Sequence, residues 1–111
     1  MTDFAINSDG PRMFFLSGEL DMSTAPLMET AIAPAIAKGG PVTLDLSELV
    51  FIDSSGVGSI VRSLNALPSG CILLHGVRNA PKRVLEIMGV DQASTNLHII
   101  PCTVPVRAVA V

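Results

Sequence analysis

Apolar residues in this chain change their spacing from one segment to the next, and that change of period constrains the fold more than any other feature. Val42-Thr43-Leu44-Asp45-Leu46 alternates with period two, the mark of a strand with one well-buried face. Val57, Ile60, Val61, Leu64 and Leu67 then recur at helical intervals, and Pro68-Ser69-Gly70 stops that run. The same exchange occurs on either side. A helix is predicted from about Thr24 to Ala37, with Leu27, Ala31 and Ile32 in register and Gly39-Gly40-Pro41 at its end. Asp21, Ser23 or Thr24 is placed to cap it, Pro26 suits its first turn, and Pro34 should loosen its last. Cys71 to Leu74 reads as a strand, Ala80 to Met88 as a helix closed by Gly89, and Ile99-Ile100 as a last strand.

Ahead of these, Phe4 to Asn7 and Arg12 to Leu16 are short strands joined by the turn sequence Asp9-Gly10-Pro11, which predicts an N-terminal hairpin. Strands alternating with helices of this length imply an α/β fold, with a mostly parallel sheet built from right-handed crossovers. Loops that follow parallel strands gather at one edge of such a sheet. The loops around Asp21, around Asp53 to Gly56, and from His75 to Ala80 are expected side by side there.

Composition removes several classes of function. With 111 residues the chain suits one domain. Seven Lys and Arg against ten Asp and Glu give a net charge of -3, a poor basis for neutralising phosphates, so no direct nucleic-acid partner is expected. Tryptophan and tyrosine are absent, which removes most ways of stacking bases or sugars. Apolar residues make up 49% of the chain, enough for an aliphatic core. Still, Asp53 cuts the run Leu49 to Ile52 and Pro34 interrupts Ala31 to Ala37, so nothing approaches the ~20 residues of a membrane helix. Asp3 and Asp9 stand where a secretory signal would be basic, and the reading is cytoplasmic. Cys71 and Cys102 do not make a disulfide scaffold and read as buried free thiols.

The most informative stretch is Val42 to Arg62. Asp53 or Ser54 is an N-cap, and Gly56 and Gly58 would let a helix pack close to the sheet. Ser55 falls at the start of that helix, where the first N–H groups lack intrahelical partners. A phosphate on its hydroxyl would meet free donors and the positive end of the helix dipole.

The whole pattern resembles the STAS domain, and more narrowly the bacterial anti-sigma factor antagonists. The resemblance rests on Gly18-Glu19-Leu20-Asp21 with Thr24-Ala25-Pro26, on Leu44-Asp45-Leu46-Ser47, and on Phe51-Ile52-Asp53-Ser54-Ser55-Gly56-Val57-Gly58. Val84 to Val90 matches in character, and together these cover roughly residues 10 to 101. It implies one STAS-like domain over residues 1–111, with a mixed sheet and helices stacked on one side. Family members close with a C-terminal helix, whereas Val104-Pro105 opens a short tail, so that helix is expected to be short or missing after about residue 103.

The resemblance further implies that Ser55 is phosphorylated by an anti-sigma factor that is itself a serine kinase, and that a PPM-type serine phosphatase reverses the modification. The unphosphorylated form would bind the anti-sigma factor and free the sigma factor. Asp21, Thr24, Asp53, Ser54 and Gly56 would form the partner surface around Ser55. No cofactor, metal or catalytic residue is implied, and a monomer is the default. Without the family, the physics points the same way. Nearly two added charges beside Asp53 and near Asp21 would oppose any partner surface fitted to a neutral hydroxyl.

Other readings are weaker. Ser55, His75 and Asp21 or Asp53 are the parts of a nucleophilic triad, but the Gly-x-Ser-x-Gly elbow is absent, since Asp53 stands where its first glycine would be. Gly56-Val57-Gly58-Ser59 lacks the lysine of a phosphate loop. Cys71 and His75, like His98 and Cys102, are four apart on a strand, about 13 Å, too far to share a metal. Lys82 and Arg83 at a helix start oppose the dipole and read as solvated charges or a partner contact. A STAS scaffold without a switch, or an accessory subunit of a stress-signalling or lipid-transport complex, is the alternative role.

Overall fold

The hairpin forms where the turn chemistry places it. In the computed structural model, which describes residues 4–77, 79–87 and 97–100, strand β1 (Ala5–Ser8) pairs antiparallel with β2 (Met13–Leu20). Gly10 supplies the positive φ, +88°, that the connecting turn needs. Helix α1 (Ala25–Lys38) follows, then strand β3 (Val42–Ile52), helix α2 (Ser54–Ala66), strand β4 (Ile72–His75), helix α3 (Asn79–Ile87) and strand β5 (Leu97–Ile100). The expected closing glycine Gly89, together with Met88, Cys102 and the tail 104–111, lies outside the described residues.

The sheet runs β1-β2-β3-β4-β5, with every pair after the first parallel. Each crossover steps the same way along the sheet, so right-handed connections place all three helices on one face. On that face Phe14, Leu16, Val42, Leu44, Ile72 and Leu74 meet Met28 and Ile32 of α1, Ile60 of α2 and Leu85 of α3 in one core cluster. Full burial of such a side chain stabilises the fold by roughly 1.5–3 kcal/mol. The segment order implied the parallel α/β part and the hairpin at its edge, and the resemblance implied the mixed sheet with helices on one side.

Strand β3 is longer than its alternating segment, and the expectation of one buried face needs correcting. It runs past Leu46 to Ile52, because Leu49-Val50-Phe51-Ile52 continues to pair with β2 as far as Leu20. Its first half is also buried on both faces. Thr43 and Asp45, on the side opposite the helices, are buried as well, though less completely than Val42 and Leu44. There Thr43 stands in register between Met13 and Leu73, and Asp45 between Phe15 and His75, larger cross-strand neighbours on the same face.

At the opposite edge from the serine turn, the α1–β3 and α2–β4 loops lie backbone against backbone. The Gly40 N–H donates to the Ser69 carbonyl at 2.6 Å. A Cβ on Gly70, whose φ is +100°, would fall 2.2 Å from the Gly40 carbonyl carbon. The Arg12 guanidinium ties the hairpin to the same corner by donating to the carbonyls of Gly39 and Pro41. Cys71, just before β4, is half-buried rather than fully enclosed.

Candidate functional site

Parallel pairing brings the ends of β2 and β3 together, with Leu20 opposite Ile52. The Asp53 N–H donates to the Leu20 carbonyl at 3.3 Å, so Asp21 and Asp53 leave the sheet as neighbours. Each acidic residue then organises the start of one helix.

Asp21 Oδ1 accepts from the Ser23 N–H at 2.9 Å, the Ser23 hydroxyl at 2.7 Å and the Thr24 N–H at 3.1 Å. These bonds favour the ionised form, so the carboxyl is held below its ordinary value, the Ser23 hydroxyl bond contributing most. Thr24 occupies the N-cap position of α1 without a side-chain cap bond. Its hydroxyl instead accepts from the Asp21 N–H at 2.9 Å and donates to the Glu19 carbonyl at 2.8 Å. Of the three cap candidates, Asp21 takes the exposed donors and Thr24 locks the turn.

Asp53 caps α2. Its backbone is extended, φ -116° and ψ -173°, and its side chain accepts from the Gly56 N–H at 3.0 Å. The cap thus comes from Asp53 and not from either serine. Ser54 is exposed and Ser55 half-buried, while Gly56 is enclosed. A Cβ on Gly56 would stand 2.6 Å from the Leu20 carbonyl oxygen and 2.8 Å from Ile52 Cγ1, so this glycine sets how closely α2 approaches the strand ends. Gly58 has no such role. A Cβ there would meet the Arg62 guanidinium at 3.4 Å and nothing from the sheet.

Sequence reasoning missed the neighbours of Ser55 on the helix side. Ser55 lines a shallow cleft of about 180 Å³ with Met22, Ala25, Pro26, Glu29 and Arg62. Within it Glu29 Oε2 accepts from the Ser59 hydroxyl at 2.7 Å and from Arg62 at 3.2 Å. The Ser59 bond is the largest cause of a lowered Glu29 pKa, which burial opposes and Arg62 reinforces. The spacing of Ser55, Ser59 and Arg62 at i, i+4 and i+7 gives half the signal. Glu29 belongs to another helix, and only packing reveals it.

The third loop does not join the other two. His75, the last residue of β4, pairs in register with Asp45, so β3 extends seven residues further, roughly 23 Å at the usual rise. The turn after His75 therefore sits beside Ser47, whose Cβ would lie 3.0 Å from a Cβ on Gly76. His75 Nδ1 is 3.5 Å from Asp45 Oδ2, both side chains being more than nine-tenths buried. Ser47 completes this group by donating its hydroxyl to Asp45 Oδ1 at 2.6 Å. The parts of a triad around Ser55 are thus not assembled, because the histidine is held elsewhere on the sheet.

Among the described residues no three His, Cys, Asp or Glu side chains are grouped to hold a metal, and no helix is long and apolar enough to cross a membrane. Lys82 and Arg83 are exposed near the start of α3.

Comparison with known proteins bears on this arrangement. Residues 7–101 match the profile described as Mlab, STAS domain. The chain is 33% identical over 80 residues to the anti-sigma-B factor antagonist of Listeria monocytogenes, covering 69% of this chain and 70% of that one. Its fold is similar to the crystal structure of an anti-sigma factor antagonist from Mycobacterium paratuberculosis, with TM-score 0.72 and 24% identity over 91% of this chain and 86% of that one. The Bacillus cell fate determinant SpoIIAA in its phosphorylated form is similar at TM-score 0.58 and 20% identity, over 87% and 90% of the two chains.

Proposed function

From the premise that the chain belongs to the STAS domain family of anti-sigma factor antagonists, we propose that it is a binding module switched by phosphorylation of Ser55. The unphosphorylated form binds an anti-sigma factor serine kinase and so releases a sigma factor. In the switching step the Ser55 Oγ attacks the γ-phosphorus of ATP. An Oγ–P bond forms, the bond to the β-bridging oxygen breaks, ADP leaves, and the hydroxyl proton passes to a base on the kinase. A PPM-type phosphatase hydrolyses the ester and returns the hydroxyl.

The observation that carries this reading is the position of Ser55. It is half-buried but open to a cleft, in the first turn of a helix whose cap is already supplied by Asp53. A phosphate can be added there without displacing the hydrogen bond that starts the helix. Asp21, Thr24, Asp53 and Ser54 surround it as the partner surface, and Gly56 serves that surface by its close packing and its N–H. Met22 and Phe51, exposed by 77% and 43%, flank the two acidic turns and supply apolar area of the kind a protein partner covers. Added charge beside Asp53 and Asp21 opposes that partner, and about 3 kcal/mol is enough to weaken binding more than a hundredfold.

The test is incubation with ATP and a purified anti-sigma factor serine kinase from the same genome, followed by mass spectrometry. One phosphate on Ser55, absent in Ser55→Ala, together with kinase binding by Ser55→Ala and not by the phosphorylated protein, is expected. If the wild type stays unmodified and binds the partner just as Ser55→Ala does, the chain is a non-switching scaffold instead.

A further inference from the structure

Seven residues, close to two full turns, separate Ser55 from Arg62 on α2, so both side chains leave the helix on the same face. Long helical side chains lean toward the N-terminus, and Arg62 does so. Its Nη1 lies 3.4 Å from where a Cβ on Gly58 would stand, and Gly58 adjoins Ser55 on the helix surface. Arg62 and Ser55 line the same cleft, with Met22, Pro26 and Glu29 opposite. The guanidinium now donates to Glu29 Oε2 at 3.2 Å, in an ion pair whose side chains are 64% and 37% exposed. A pair so open to water is weakly held.

Deepening the reading that Ser55 is phosphorylated, on which it rests, we propose that Arg62 is the intramolecular anchor of that phosphate. The ester brings three acceptor oxygens and close to two negative charges into the cleft. The fork of a guanidinium matches phosphate as well as it matches carboxylate, and the phosphate carries the greater charge. Arg62 exchanges partners by rotating its outer bonds through the space that Gly58 leaves open, while Glu29 keeps the Ser59 hydroxyl. Three acidic residues stand in or beside the cleft: Glu29 of α1 lines it, Asp53 caps α2 two residues before Ser55, and Asp21 follows β2 next to the lining residue Met22. They oppose the second ionisation of the phosphate, whereas Arg62 and the helix N-terminus favour it. Phosphorylation in this account re-aims a surface cation beside the partner surface and leaves the backbone where it was.

Phosphoserine installed at position 55 during translation, by suppression of an amber codon, allows a test that needs no kinase. The second ionisation of the phosphate is followed by phosphorus-31 NMR titration in the full chain. Its midpoint in the otherwise wild-type protein is expected below that of Arg62→Ala by roughly half to one pH unit, with Arg62→Lys between them. Arg62→Gln, a side chain of similar reach without the charge, is expected to match Arg62→Ala and gives a second reading should that variant fold poorly. Equal midpoints in wild type and in Arg62→Ala or Arg62→Gln overturn the anchor. A kinase that leaves Ser55 unmodified sinks the switch reading without touching this titration. Equal midpoints alongside a kinase that does modify Ser55 sink the anchor alone.

Discussion

Replacing Gly56 by alanine sets two effects of known size against each other. In a helix interior alanine is favoured over glycine by about 1 kcal/mol, so local propensity alone predicts a stabler protein. The added methyl would stand 2.6 Å from the Leu20 carbonyl oxygen, 2.8 Å from Ile52 Cγ1 and 3.0 Å from Leu20 Cγ. The nearest of these is backbone, and it cannot retreat alone, because that carbonyl accepts the Asp53 N–H that joins the two strand ends. Overpacking of this kind costs about 1–3 kcal/mol, and a fixed backbone neighbour places this site toward the upper end. The net expectation is a loss of about 1–2 kcal/mol, read as a lower urea midpoint with unchanged slope and a melting temperature several degrees lower. Gly58→Ala is the internal control. Its methyl meets only the end of the Arg62 side chain at 3.4 Å, so propensity wins and stability should rise by up to about 1 kcal/mol. A Gly56→Ala protein at least as stable as wild type would refute the claim that this glycine sets the spacing between α2 and the strand ends.

Two further outcomes follow from the caps and carboxylates. Asp53→Ala removes the acceptor of the Gly56 N–H and should cost about 1 kcal/mol by urea denaturation, with Asp53→Asn recovering most of it. Glu29 is held below its ordinary value of 4.5, chiefly by the Ser59 hydroxyl, so its contribution is complete above that pH and is lost as pH falls through the lower folded value. Urea midpoints measured from pH 6 down to pH 3 should therefore fall less steeply in Glu29→Gln than in wild type, and equal slopes would contradict the assignment.

The change of hydrophobic period, the Asp-Gly-Pro turn and the glycine and proline stops determined by themselves that this chain alternates strands with helices, and where most of them begin. Asp53 as cap and Ser55 in the first turn of α2 were legible too, because capping depends on residues within three positions of one another. Pairing decided the rest. Only contact with β2 carries β3 on to Ile52, and that extension separates His75 from Ser55 and seats it beside Asp45. Likewise the different duties of Gly56 and Gly58, alike on paper, depend on what stands opposite each: a carbonyl from β2 in one case, an arginine tip in the other. The meeting of Glu29 with Ser59 and Arg62 joins residues 30 and 33 positions apart. Local chemistry is written along the chain, whereas such distances close only when apolar faces pack and bring separate elements into register.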